Sequence, residues 1–281
     1  MTNTLQSVGH GFYARALTPL LLKRGWTVIG TTRSTEQVEA LESEGVTPLI
    51  WPGNKLPLDR ATHLLTSVAP GRNGDLVLAE ASDALKAADH IEWAGYLSTT
   101  GVYGDHGGGW VDESAGLTPA TSRGQARVKA EADWAELGLP LHIFRLAGIY
   151  GPGRGPFAKV RTGTAHRIIK KGQVFSRTHV ADIAQVLLAS IDRPNPGAVY
   201  NVCDDNPAPP QDVIAFAAEL LGLPIPPEVP FEEADMSPMA RSFYSDSKKV
   251  SNDRIKDELG VKLLYPTYQS GLQALLKAEQ L

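Results

Sequence analysis

Leu5-Gln6-Ser7-Val8-Gly9-His10-Gly11-Phe12-Tyr13-Ala14 opens the chain with an apolar run that stops at a Gly-x-Gly-x-x-Ala turn. Leu5 to Val8 reads as a short strand. From Ala14 to Lys23 the apolar residues Ala16, Leu17, Leu20 and Leu21 recur at helical spacing. A glycine turn between a strand and a helix is the setting in which this motif holds a dinucleotide. Gly9 allows the tight turn, Gly11 lets backbone approach a pyrophosphate with no Cβ in the way, and Ala14 keeps helix and strand close. The helix N-terminus turns its partial positive charge toward the phosphates. His10 and Phe12, within the turn, join Gly9, Gly11 and Ala14 as cofactor-binding candidates.

Outward from this turn, strand and helix signals alternate. Trp26 to Thr31 is a second strand, and Ser34 is a helix N-cap with Gln37 three residues on. Thr47 to Trp51, His63 to Val68 and Ile91 to Ser98 read as strands three to five, with a helix over Asp75 to Ala88. This pattern predicts an α/β fold: a Rossmann-type, doubly wound parallel sheet. After Gly151 proline and glycine become frequent and the alternation breaks, which marks a smaller C-terminal substrate lobe. The expected division is 1–150 with about 174–202 for the dinucleotide domain, and about 151–173 with 203–281 for the lobe.

The end of strand two bears on cofactor choice. An NAD site usually carries an acid there to hold the ribose 2′-hydroxyl. This chain reads Thr31-Thr32-Arg33-Ser34, with no acid before Glu36. Arg33 offers a planar cation for a 2′-phosphate and for adenine stacking, and Thr32 and Ser34 add hydroxyls. The expected cofactor is NADP, ahead of NAD. Ser67, near the end of strand four, is a further cofactor-side candidate.

Bulk properties narrow the classes. A chain of 281 residues can bury a substantial core, and a net charge of −4 argues against a nucleic-acid-coating surface. Cys203 is the only cysteine, which excludes an intrachain disulfide and a cysteine-rich metal site. No apolar run approaches the roughly 18 residues that span a bilayer. No basic region precedes the first apolar stretch, so the expected setting is cytoplasmic, with no membrane partner.

Four further segments carry a resemblance. Tyr96-Leu97-Ser98-Thr99-Thr100-Gly101-Val102-Tyr103-Gly104 is similar to the S-[ST]-x-x-V-Y-G active-site strand of extended short-chain dehydrogenases. Arg145 to Gly153 resembles their R-x-x-x-[VI]-Y-G-P-G segment. His179-Val180-Ala181-Asp182-Ile183-Ala184 resembles a helix start of theirs, and Gly197 to Val202 the strand after it. In order and spacing the likeness spans nearly the whole chain. It is greatest to atypical bacterial members of the NAD(P)-dependent epimerase/dehydratase-like group. The resemblance implies a small-molecule substrate, and leaves a homodimer open.

One motif is missing. The family's Tyr-x-x-x-Lys pair should follow the strand by some twenty residues, but Arg123-Gly124-Gln125-Ala126-Arg127 stands there. In the family a hydroxyl at the Thr99 position holds the substrate's reacting oxygen, tyrosine passes a proton, and lysine holds the nicotinamide ribose. Arg123 cannot act as a base, because guanidinium stays protonated. Arg127, one turn later on the same face, can hold a ribose or an anion. The catalytic candidates are therefore Thr99, Tyr103 as a substitute acid, Arg123 and Arg127. Thr100, Tyr150, Arg154 and Arg241 are the substrate-side candidates, the last as a diphosphate-gripping arginine. Tyr244-Ser245-Asp246-Ser247-Lys248 also fits Tyr-x-x-x-Lys, although in the C-terminal lobe. His106 reads as an exposed loop residue and His179 as a structural hydrogen-bonder. Two functions follow: an NADP-dependent oxidoreductase or epimerase-like enzyme with unusual acid/base residues, or a non-catalytic NADP(H)-binding redox sensor.

Overall fold

The computed structural model describes residues 2–280, so the outermost residues of the expected division, 1 and 281, lie outside it. The first half alternates β1 (Thr4–Val8), α1 (Phe12–Leu22), β2 (Thr27–Thr32), α2 (Val38–Ser43), β3 (Thr47–Ile50), β4 (His63–Thr66), α3 (Leu76–Lys86) and β5 (Trp93–Thr99). Next come β6 (Trp110–Val111), α4 (Ser122–Ala135), β7 (Leu141–Leu146), β8 (Gly148–Tyr150), α5 (Phe157–Arg161), β9 (Arg167–Ile169), β10 (Arg177–His179), α6 (Val180–Asp192) and β11 (Val199–Val202). The last stretch holds α7 (Pro210–Leu221), β12 (Glu228–Pro230), α8 (Pro238–Phe243), β13 (Lys249–Val250), α9 (Asp253–Asp257) and α10 (Tyr268–Glu279).

Seven strands form one sheet in the order β11-β7-β5-β4-β1-β2-β3, and every neighbouring pair is parallel. The order runs outward in both directions from β1 and β4. Their carboxyl ends mark the switch point of the sheet, the place where such folds bind ligands. Helices cover both faces, as the buried, two-sided strands require. Leu17 and Leu21 of α1 pack with Ile183 and Leu187 of α6 on one side. Val77 and Leu85 of α3 pack with Ala130 and Trp134 of α4 on the other.

The smaller lobe has its own core, in which Tyr150 and Phe157 pack with Val213, Ala217, Leu272 and Leu275. β6 pairs with β13, so the segment after the active-site strand is stitched to the lobe. Local readings shift slightly. β4 ends at Thr66, not Val68, because the Ser67 hydroxyl turns to the carbonyl of Gly9. Ser34 does cap, but it accepts the Glu36 N–H at 3.2 Å and starts a single tight turn over Thr35–Gln37. No helix among the described residues is long and apolar enough to cross a membrane.

Candidate active site

The glycine turn sits at the switch point. Gly9 has φ +79°, and a Cβ there would lie 3.0 Å from both Ser67 Oγ and Val68, so only glycine fits without strain. Its N–H donates to Thr31 Oγ1 at 2.7 Å, and the Gly11 N–H donates to the Gly9 carbonyl at 2.7 Å. Gly11 caps α1, yet no side chain accepts from the helix's first turn and no acid lies in it. A Cβ on Gly11 would meet nothing nearer than the Gly9 carbonyl at 3.9 Å. Free backbone donors thus face open space at the positive end of a helix, which suits a pyrophosphate.

Two cofactor candidates prove to be supports of this turn. The His10 ring is 6 % exposed and lies where a Cβ on Gly30 would fall 2.6 Å from its Cγ. Its Nε2 is 3.3 Å from Thr18 Oγ1, and burial, with Arg15 nearby, lowers its pKa to about 4. The His10 imidazole is therefore a neutral wedge beneath the loop, which leaves only the backbone of this residue to face a cofactor. The Ser67 hydroxyl is committed to the Gly9 carbonyl and braces the turn. Ala14 is fully buried, as helix-on-strand packing demands.

At the end of β2 the Ser34 N–H donates to Thr32 Oγ1 at 3.2 Å. Thr32 and Ser34 thereby shape the corner, and Arg33 is exposed on it with no carboxylate partner among the described residues.

β5 delivers the hydroxyl strand to the same edge. Thr99 is half-buried and extended, and its Oγ1 accepts the Gly101 N–H at 3.1 Å. Thr100 beside it is also half-buried. Ser98 points inward and donates to Glu131 Oε1 at 2.5 Å. Glu131 and Arg145, with side chains 6 % exposed each, form a buried pair at 2.7 Å. Arg145 Nη1 donates to the Tyr103 hydroxyl at 3.0 Å, and that hydroxyl donates to Asn201 Oδ1 at 2.7 Å. Tyr103 is 0 % exposed, and burial raises its pKa. A wholly enclosed, raised phenol cannot pass protons to a ligand in the cleft, so Tyr103 is a positioning residue and not the substitute acid.

Helix α4 packs tightly on the turn after Thr99: a Cβ on Gly124 would lie 3.2 Å from the Gly101 carbonyl and 2.5 Å from Pro119. Arg123 and Arg127 flank that contact. Arg127 Nη1 donates to the Leu97 carbonyl at 2.8 Å and to the Tyr96 hydroxyl at 3.1 Å. Burial of Tyr96 pushes its pKa up to about 12 even with Arg127 beside it. Arg123 reaches across to the smaller lobe, where its Nη2 donates to Ser242 Oγ at 2.7 Å and its guanidinium lies 5.0 Å from the Phe243 ring.

The remaining substrate-side candidates separate. Arg241 donates to the Ala234 carbonyl at 2.8 Å and stacks on Phe231 at 4.8 Å, so its guanidinium braces its own lobe. Tyr150 is 7 % exposed, and its hydroxyl lies where a Cβ on Gly271 would be 2.0 Å away. It is core, and its reading as a substrate contact is corrected. Arg154 is exposed and lies 5.6 Å from the Phe12 ring, at the glycine turn. Lys248 Nζ donates to the Gly104 carbonyl at 2.6 Å, while the Tyr244 ring packs between Phe175 and Phe231. Their Tyr-x-x-x-Lys spacing is thus a lobe contact. His106 Nε2 is 3.2 Å from the Tyr103 carbonyl, and His179 caps α6 by accepting the Ala181 N–H at 3.1 Å.

No family model matches the chain. A solved structure of a conserved protein of unknown function from Silicibacter pomeroyi DSS is 60% identical and superposes with a TM-score of 0.95, covering 100% of both chains. The chain belongs to that protein's family. Protein YeeZ of Escherichia coli strain K12 is 29% identical over 282 residues, which is 92% of this chain and 95% of YeeZ. An NAD complex of dTDP-glucose 4,6-dehydratase from Bacillus anthracis superposes with a TM-score of 0.80 at 18% identity, over 100% of this chain and 97% of that one. At that identity the likeness is one of fold. The structural neighbours are NAD-dependent epimerases and dehydratases, whose parallel α/β sheet this chain shares.

The network of Glu131, Arg145 and Asn201 escaped the sequence reading. Its signal was present: an arginine inside the otherwise apolar-rich strand Leu141–Leu146 requires a buried acid, and Glu131 on α4 supplies it. Lys248 has Asp246 at 3.5 Å close by in sequence, but its shorter bond goes to a backbone carbonyl 144 residues away, which no local pattern marks.

Proposed function

We propose that this chain is an NADP-binding oxidoreductase or epimerase/dehydratase-like enzyme of the cytoplasm, acting on a small anionic or nucleotide-sugar substrate. The observation that carries this reading is the half-buried Thr99, its Oγ1 accepting the Gly101 N–H, at the sheet edge that also holds the glycine turn. Gly9, Gly11 and the bare N-terminus of α1 suit a pyrophosphate, and Arg33 suits a 2′-phosphate. When bound, the nicotinamide supplies or accepts hydride. Thr99 donates its O–H to the reacting oxygen, since one lone pair already accepts from Gly101. Arg127, fixed on the Leu97 carbonyl, supplies positive charge on the same strand, while Arg123 is turned to Ser242 and Phe243 of the smaller lobe. Neither arginine exchanges the proton. With Tyr103 enclosed, water or the substrate does so.

The test is NADPH turnover by Thr99→Val against a panel of carbonyl compounds and nucleotide sugars. Loss of a positioned donor is expected to lower kcat/KM by roughly 10²-fold. Unchanged turnover would refute the role of Thr99.

One observation favours a second reading. Arg123 bridges the two lobes through Ser242 and Phe243, a contact between cofactor domain and lobe that a redox sensor could use. Failure of the whole panel, together with partner association that differs between NADPH and NADP, would select the sensor.

A further inference from the structure

We propose that Arg154, read from sequence as a substrate contact, instead binds the pyrophosphate of the dinucleotide from the second lobe. This rests on the dinucleotide reading above. The turn Gly151–Arg154 is closed by two reciprocal bonds, Gly151 N–H to the Arg154 carbonyl at 2.8 Å and Arg154 N–H to the Gly151 carbonyl at 2.9 Å. Gly153 supplies the left-handed corner at φ +69°. Gly151 is wedged against the cofactor domain: a Cβ there would meet Val180 at 2.6 Å and Phe12 Cζ at 3.1 Å. The backbone of Arg154 is therefore fixed to the first residue of α1. Its guanidinium lies 5.6 Å from the Phe12 ring, one residue past the Gly11 cap.

The charge of Arg154 is also available, as it is for Arg33 but not for Arg15, Arg24, Arg161 and Arg254, which each face a carboxylate. Arg154 makes no salt bridge and no side-chain hydrogen bond among the described residues and only stacks on Phe12. An unneutralised planar cation beside unsatisfied helix N–H groups matches the paired oxygens of a diphosphate. The helix donors would take the diphosphate from one side and Arg154 from the other, which ties cofactor binding to the position of the lobe turn.

The experiment measures binding of NADPH, ADP-ribose and 2′,5′-ADP to the full chain by calorimetry. ADP-ribose has the pyrophosphate without the 2′-phosphate, and 2′,5′-ADP has the 2′-phosphate without the pyrophosphate. Arg154→Gln is expected to weaken NADPH and ADP-ribose roughly tenfold and to leave 2′,5′-ADP within about twofold of wild type. Arg154→Lys should recover part of the loss. Arg33→Gln should do the reverse, weakening NADPH and 2′,5′-ADP while sparing ADP-ribose. Unchanged ADP-ribose affinity in Arg154→Gln overturns the proposal and returns Arg154 to the substrate. Equal weakening of all three ligands also overturns it, because the effect then comes through the fold. A wild-type chain that binds none of the three overturns the dinucleotide reading itself, which distinguishes that failure from a failure of Arg154.

Discussion

Removing either member of the Glu131–Arg145 pair is expected to destabilise the fold by about 3–5 kcal/mol. The carboxylate accepts Arg145 Nη2 at 2.7 Å, Nε at 3.2 and 3.3 Å, and Ser98 Oγ at 2.5 Å. With both side chains 6 % exposed, water cannot replace a lost partner. Glu131→Leu leaves a buried guanidinium with only the Tyr103 hydroxyl, and Arg145→Met leaves a buried carboxylate with only Ser98. Against a total stability of roughly 5–15 kcal/mol, either loss is large. The double variant removes both charges, and Tyr103 keeps Asn201, so its cost should fall to about 1–2 kcal/mol. Urea unfolding followed by tryptophan fluorescence measures this, since Trp134 lies on the same helix as Glu131. Single variants should lower the midpoint by about 1–2 M at an m near the top of the usual range. Singles within about 1 kcal/mol of wild type, or a double variant equal to their sum, would refute the argument.

Gly9→Ala should abolish NADPH binding while the protein still folds: φ +79° costs an L-residue about 1–2 kcal/mol, and the new methyl would press on Ser67 and Val68. Normal NADPH affinity in a folded Gly9→Ala protein would remove the glycine turn from the site. Asp204 gives a pH prediction. Burial pushes its carboxyl up to about 7, with Arg177 pulling the other way. The folded state therefore holds a proton that the unfolded chain releases near pH 4. The stabilisation is complete below pH 4 and is lost as pH rises through about 7. Asp204→Asn should remove that decline, worth at most roughly 4 kcal/mol for three pKa units. His10 and His179, each lowered to about 4, act with opposite sign between about pH 4 and 7, but equally in both proteins. The difference between wild-type and Asp204→Asn thermal melts from pH 4 to 8.5 therefore isolates Asp204, and two profiles that run parallel across that range would contradict it.

The sheet was legible because its signals are local. Alternating strand and helix periods, together with Gly9 and Gly11, point to a parallel sheet and its switch point, and the structure has both. Ends shifted where a side chain intervened, as at Ser67, whose hydroxyl reaches a carbonyl 58 residues away. The site was less legible because side-chain direction is set by packing. His10 lies within the glycine turn, but Gly30 in the neighbouring strand opens a hole that its ring fills. Tyr103 lies at the end of the hydroxyl strand, but Arg145 and Asn201, far along the chain, draw it inward. Arg241 has the charge of a diphosphate ligand and spends it on the carbonyls of its own lobe.

The two arginine replacements differ in consequence because their neighbours differ. Arg127 keeps a position on the active-site strand, anchored to the Leu97 carbonyl, so the charge a lysine would bring there is retained. Arg123 does not: its side chain spans to Ser242 and Phe243 of the smaller lobe. One arginine is thus committed to the backbone of the strand that carries Thr99, and the other to the contact between the sheet domain and the smaller lobe. The same residue type, four positions apart on one helix, serves two different surfaces because its neighbours differ.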